Sequence, residues 1–291
     1  MQKIRKISDF LEKTMKLVFT TCGFIAVIFV LMITIFLIVS GTPAMVEIGI
    51  KDFLFGQKWE STAQNPSYVI LPFILSSVYG TLGAIIIGVP FGIMCAVFLA
   101  KSSNKRIASF VSNAVNLMAG IPSVVYGLIG MIIVVPTVRE IFNLPDGANL
   151  FSAIFVLSIM ILPSVITVSE TSIRAVPREY EEASLALGAT KTETIFKVTL
   201  PAAKSGILAS VVLGIGRAIG EAMAVMMVSG NVANMPGLFK SVRFLTTAVA
   251  SEMSYSSGLQ RQALFSVALV LFAFIMIINI ILNFVVKREK K

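Results

Sequence analysis

The residues best placed to do chemistry in this sequence are Arg217 and Glu221, four positions apart in an otherwise apolar run. An ionisable group at the centre of a membrane span costs about 2.5–3.5 kcal/mol on insertion scales, so each needs a reason to be there. On one continuous helix the two side chains share a face and can pair, which lowers the burial cost. There are two readings. Either the pair fixes the packing of its span, or Arg217 supplies a fixed positive charge for an anion midway across while Glu221 holds the guanidinium until cargo arrives. Arginine suits the second role better than lysine, because its planar fork meets an oxyanion with two parallel hydrogen bonds and keeps its proton.

What the chain lacks narrows the chemistry further. There is no histidine, so His-based metal sites, Ser-His-Asp triads and Cys-His dyads are excluded within the chain. The two cysteines, Cys22 and Cys95, lie in separate apolar runs; they build neither a disulfide framework nor a CxxC motif and read as buried small hydrophobes. No GxxxxGK[ST] phosphate loop occurs, so energy from ATP must arrive through a partner. One ion pair without a nucleophile beside it is also a poor basis for an integral-membrane enzyme.

The elements that must position these residues are membrane spans. Of 291 residues 56% are hydrophobic and 13% charged, with mean hydropathy +0.91, whereas soluble domains carry roughly a quarter charged residues. Lipid is therefore the main solvent, and the fold class is an all-α integral membrane protein. Six runs reach the roughly 20 apolar residues a span requires: Leu17 to Val39, Pro72 to Ala100, Ile107 to Val138, Leu150 to Thr171, Ala202 to Gly230 and Gln262 to Val286. The first is too long for a signal-peptide core and lacks a small-residue cleavage pattern, so an uncleaved anchor is expected. Seventeen of the 24 lysines and arginines fall on one side of these spans, six on the other, and Arg217 inside. The net charge of +9 thus marks a membrane face rather than a nucleic-acid surface, and both termini are expected in the cytoplasm.

Several local patterns stand beside this. Ile4, Ile7 and Leu11 recur at helical spacing among basic residues, which suits a short helix on the anionic inner leaflet or a solvated tail. The outer segments Gly41–Leu71 and Asn231–Arg261 carry Trp59, Tyr68 and Tyr255, read either as anchors at the lipid interface or as part of a surface for an extracytoplasmic partner. Gly88 with Gly92 and Gly216 with Gly220 match the GxxxG packing pattern. A helix interrupted at Pro90 or Pro122 must have its freed carbonyls satisfied by neighbours or by water in a cavity.

The segment between spans four and five carries two short predicted helices. Pro177 suits a first turn, Arg178 to Leu187 has strong helix formers, and Gly188 is positioned as the C-terminal cap. Thr190 and Glu193 are spaced as a capping box opening a second helix that Pro201 closes. Ile195, Phe196 and Val198 give this loop apolar surface, which either packs under the bundle or docks another protein.

The spacing of Glu182, Ala183, Ser184, Gly188, Val198, Leu200 and Pro201 resembles the EAA loop of ABC importer permeases, E-A-A-x3-G-x9-I-x-L-P, with Ser184 for the second alanine and Val198 for isoleucine. The strings GRAIGEAMAV (Gly216 to Val225), NLMAGIPSVVYGL (Asn116 to Leu128), VPREYEEASLALGAT and GNVANMPGLF resemble the C-type permease of phosphate-specific ABC importers, and the resemblance covers nearly all of Pro72 to Val286. It implies a type I importer architecture of six spans in the bacterial inner membrane. An EAA loop at 177–201 would couple to two ATP-binding subunits that hold the ATP and magnesium, with no cofactor in this chain. The implied partners are a second, A-type permease, an extracytoplasmic phosphate-binding protein and membrane lipid. Residues 1–71 would be the N-terminal segment, first span and outer loop, 72–286 the permease core, and 287–291 a basic cytoplasmic tail. Arg217 and Glu221 then occupy positions associated with the phosphate path, and Ser76, Ser77, Thr81 and Ser123 are candidates to complete the hydration shell of the cargo. Molybdate, sulfate or a phosphonate as cargo, and a stand-alone ion-coupled carrier, are the alternatives.

Overall fold

The computed structural model describes residues 2–288 apart from 57, 62, 102 and 103, with side chains from residue 12 onward apart from 282, 283 and 285–288. The expected basic tail at 287–291 and the apolar spacing of Ile4, Ile7 and Leu11 lie outside the described side chains. Helix α1 (Gln2–Ile48) is followed by the short α2 (Ile50–Phe55) and by α3 (Leu71–Lys101). Next come α4 (Lys105–Gly120), α5 (Ser123–Ile129), α6 (Val135–Ile141) and α7 (Leu150–Arg174). The loop helices are α8 (Arg178–Ala186), α9 (Lys191–Thr194) and α10 (Leu200–Ala202). The chain ends with α11 (Lys204–Gly220), α12 (Met223–Val228), α13 (Leu245–Glu252) and α14 (Gly258–Arg288). The only extended pairing among the described residues is two isolated bridges.

Five helical stretches are long and apolar enough to cross a membrane, and α11, bent by 70° from the helical segment before it, supplies a sixth. The chain is an integral membrane protein. In lipid there is no hydrophobic force between helices, so packing and polar contacts must hold the bundle. The broadest interface, α3 on α7, shows how. Glycines on α3 let α7 approach so closely that a Cβ at Gly88 would lie 2.7 Å from Ile161 and 2.9 Å from the Ser158 carbonyl, and one at Gly92 2.7 Å from Val165. The Ser169 and Ser210 hydroxyls, 2.7 Å apart and buried, tie α7 to α11. The Ser266 hydroxyl donates to the Gly41 carbonyl where α14 meets α1. A Cβ added at Gly216 or Gly220 would meet nothing within 4 Å, so this second GxxxG packs on no described residue. Gly88→Ala is expected to cost about 1–3 kcal/mol through overpacking, read as a lower melting temperature in detergent. Gly216→Ala is expected to leave that temperature unchanged.

Four expectations need correction. The run Ile107–Val138 is not one helix: it breaks at Ile121 and Pro122, so the span is α5 to α6 and α4 is a separate amphipathic helix. Pro122 frees the Met118 carbonyl, which accepts from the Ile121 amide at 3.2 Å and the Tyr126 hydroxyl at 2.8 Å. Pro90 interrupts nothing, since α3 runs through it. Trp59 and Tyr68 do not face the lipid interface; each is 6% exposed, stacked together in a cluster with Phe53, Phe73, Leu245 and Leu264. Their outer segment folds back over α13 and α14 instead of lying flat, while Tyr255 is 91% exposed. Cys22 is exposed rather than buried, because among the described residues nothing buries the most apolar part of α1.

Candidate functional site

Arg217 lies near the end of α11, half-buried, and its Nη1 donates to the Ser164 Oγ of α7 at 3.3 Å. Both line a cavity of about 480 Å³ between α7, α11 and α14, with Asn279 and the apolar walls Ala209, Val212 and Leu213. A guanidinium in such a setting has donors to spare and few competing partners, which is the electrostatic requirement for holding an oxyanion.

Glu221 is elsewhere. Its backbone is extended (φ −75°, ψ 125°) and ends α11, so the shared helical face expected for the pair does not exist. No ion pair joins Arg217 and Glu221 among the described residues. The Glu221 carboxylate instead accepts from the Ala224 amide at 3.0 Å, and its carbonyl accepts from the Thr246 hydroxyl at 2.8 Å. The break in span five is therefore held from two sides, by the side chain of Glu221 and by a residue of α13.

The four hydroxyls proposed for a hydration shell do not line this cavity. Ser76 is fully buried in α3, and the Ser77 Oγ accepts from the Leu245 amide at 3.0 Å. Thr81 faces an apolar groove with Ile215, Ile219 and Phe274, and Ser123 starts α5, half-buried. The polar residues the structure does bring to Arg217, Ser164 and Asn279, were missed. Asn279 carried a signal, being an amide inside an apolar span where polar groups mark bundle interiors or cavities.

The loop on the basic face is built by local signals. Gly188 has φ +87°. The Gly188 amide donates to the Leu185 carbonyl at 3.0 Å and the Ala189 amide to the Ser184 carbonyl at 3.3 Å, the two bonds of a Schellman cap. Thr190 and Glu193 form the expected capping box. The bonds from the Thr190 amide and hydroxyl, with Lys197 beside them, hold the Glu193 carboxyl below the usual range. The box is thus intact at neutral pH and is lost only as pH falls through that lowered value. Pro201 does not close the second helix, which continues to Ala202. A π turn over Ile195–Thr199, with the Leu200 amide on the Ile195 carbonyl, loosens the coil before the proline ring arrives.

This loop packs on the bundle with one side only. Lys101 pairs with Glu181, the Thr199 hydroxyl donates to Glu181 at 3.2 Å, and Leu200 joins the core around Leu99, Ile173 and Ala203. Ser184 and Thr194 join α8 to α9 through hydroxyls 2.9 Å apart. Glu182 and Ala183 are exposed, and Ile195 and Val198 half-buried. Leu187 is 90% exposed and Phe196 62%. Helix α8 buries no residue at all.

A family model described as binding-protein-dependent transport system inner membrane component matches residues 88–291. The chain is 34% identical over 280 residues to the probable ABC transporter permease protein YqgH of Bacillus subtilis (strain 168), covering 94% of this chain and 91% of the relative. It is 33% identical over 259 residues to the phosphate transport system permease protein PstC of Pasteurella multocida (strain Pm70), covering 82% and 80%. Among solved structures, a bacterial ABC transporter involved in the import of alginate shares the fold with TM-score 0.60 at 15% identity, over 90% of this chain and 95% of that one. The inward-facing MetNI methionine ABC transporter does so with TM-score 0.57 at 20% identity, over 76% and 94%. The helical bundle is thus shared architecture, and the sequence match places this chain in the family of binding-protein-dependent transport system inner membrane components.

Proposed function

We propose that this chain is the permease subunit of an ATP-driven importer of inorganic phosphate, with the basic face and both termini in the cytoplasm. It forms the path together with a second permease. Two ATP-binding subunits, which hold ATP and magnesium, grip α8 and α9, and an extracytoplasmic binding protein delivers the cargo. ATP-driven closure below moves the loop, the spans re-open outward, and phosphate passes to the level of Arg217. The observation that carries the phosphate reading is one-third identity to a phosphate transport permease across four-fifths of both chains. Arg217 in its membrane cavity supplies the matching chemistry. Exposed Leu187 and Phe196 support the docking role of the loop, since a solitary loop gains nothing from showing them to water.

Deletion of the subunit in phosphate-starved cells is expected to abolish high-affinity uptake of radiolabelled phosphate, with recovery on re-expression. Uptake that is unchanged by the deletion, or that survives ATP depletion, contradicts the reading.

A further inference from the structure

The cavity around Arg217 holds more chemistry than one cation, and assigning it a cargo rests on the phosphate reading. Along α7, Ser158, Thr171 and Ser172 each donate their hydroxyl proton to the carbonyl four residues earlier, at 2.6, 2.8 and 2.7 Å. Ser164 makes no such bond among the described residues. Its oxygen accepts from Arg217, which leaves its proton free for the cavity. Asn279, across the cavity on α14, is exposed within an apolar span, where an amide is costly, and it has no hydrogen-bond partner among the described residues.

Together these three side chains offer an asymmetric site. Arg217 is a donor only, Ser164 already accepts from it and has one proton to give, and Asn279 presents an amide N–H pair beside a carbonyl. The Asn279 carbonyl is therefore the acceptor of the three that no donor engages among the described residues. Tetrahedral oxyanions differ in just this respect. Phosphate near neutral pH keeps at least one O–H that must find an acceptor when it leaves water, whereas sulfate has none to place. A site with a polar group matched to that O–H discriminates against a cargo that leaves it unmatched.

We propose that Ser164 and Asn279 complete an oxyanion site around Arg217, in which Ser164 and the Asn279 N–H donate to anion oxygens and the Asn279 carbonyl accepts the proton of a protonated oxyanion. The site prefers phosphate to sulfate for that reason. Asn279 is then a specificity residue, and Ser164 both positions the guanidinium and touches the cargo.

The test uses the whole purified complex with a reporter thiol at Leu213→Cys on the apolar wall, after Cys22→Ser and Cys95→Ala, and follows thiol modification of this chain. Phosphate is expected to protect the thiol at a concentration roughly fivefold or more below that of sulfate. Adding Asn279→Leu, a residue well suited to lipid, is expected to raise the half-protecting phosphate concentration roughly fivefold and bring the two anions together. Asn279→Gln, which keeps the amide, is expected to preserve the preference. The inference is overturned if Asn279→Leu leaves the phosphate value unchanged, including the case in which that variant only weakens co-purification of the second permease. It is equally overturned if neither anion protects the thiol in a complex that takes up phosphate. A complex that takes up no phosphate at all, yet shows protection by other oxyanions that depends on Asn279, removes the phosphate reading and leaves the site.

Discussion

Arg217→Lys is expected to lower phosphate uptake by roughly ten- to a hundredfold while the subunit inserts and assembles normally. The guanidinium already commits one amine, Nη1, to Ser164 and keeps its remaining donors for the cavity. Lysine retains the charge but concentrates it on one ammonium, which cannot hold Ser164 and grip an anion with two parallel bonds at once. Losing one charge-assisted hydrogen bond costs about 1.5–3 kcal/mol, and about 1.4 kcal/mol corresponds to a factor of ten. Uptake of labelled phosphate, normalised to the amount of subunit in the membrane, measures the effect. If the amount of subunit falls in parallel with uptake, Arg217 is a packing residue, the reading in which it only tolerates its setting. Because Glu221 is not its partner, Glu221→Gln is expected to act differently, through the cap on α12 and the break in span five.

Gly188→Val is expected to disconnect ATP hydrolysis from transport without preventing insertion. No described residue lies within 4 Å of a Cβ at this position, so the obstacle is the backbone, held at φ +87°. A β-branched residue there costs on the order of 1–3 kcal/mol, enough to open the Schellman cap that sets the angle between α8 and α9. Asparagine tolerates the left-handed region better than other side chains, so Gly188→Asn should retain most of the coupling and Gly188→Ala should fall between. The readout is the ratio of phosphate taken up to ATP hydrolysed by the reconstituted complex. A normal ratio for Gly188→Val contradicts the role given to the loop.

The features legible in the sequence are those whose causes are local. Apolar runs of span length need no tertiary partner to declare themselves, and Gly188 and the Thr190–Glu193 box declare helix ends within four residues. What stayed hidden depends on contacts far along the chain. The end of α11 at Glu221 is stabilised by Thr246, 25 residues on, so an unbroken helix was the natural expectation for a run of small and apolar residues. Ser164 meets Arg217 across 53 residues, whereas Ser76, Ser77 and Thr81 looked equally suitable until α3 buried Ser76, brought Ser77 to the Leu245 amide and turned Thr81 into an apolar groove. Trp59 and Tyr68 obey the same rule: aromatic residues beside a span read as interface anchors, and only the folding of the outer segment onto Phe73 and Leu264 buries them. Proline was the least reliable punctuation, because α3 runs on through Pro90 and a π turn ahead of Pro201 lets the coil continue through it.

In the proposed function, α8 and α9 are the point at which ATP-driven motion of other subunits reaches the spans. The measurement that addresses it most directly is site-specific crosslinking from Leu187→Cys, 90% exposed at the tip between the two helices, in a complex verified to be active in phosphate uptake. The expected result is a crosslink to an ATP-binding subunit whose yield changes between the ATP-bound and nucleotide-free complex. Crosslinks confined to this chain's own bundle, in a complex that still transports, would contradict it.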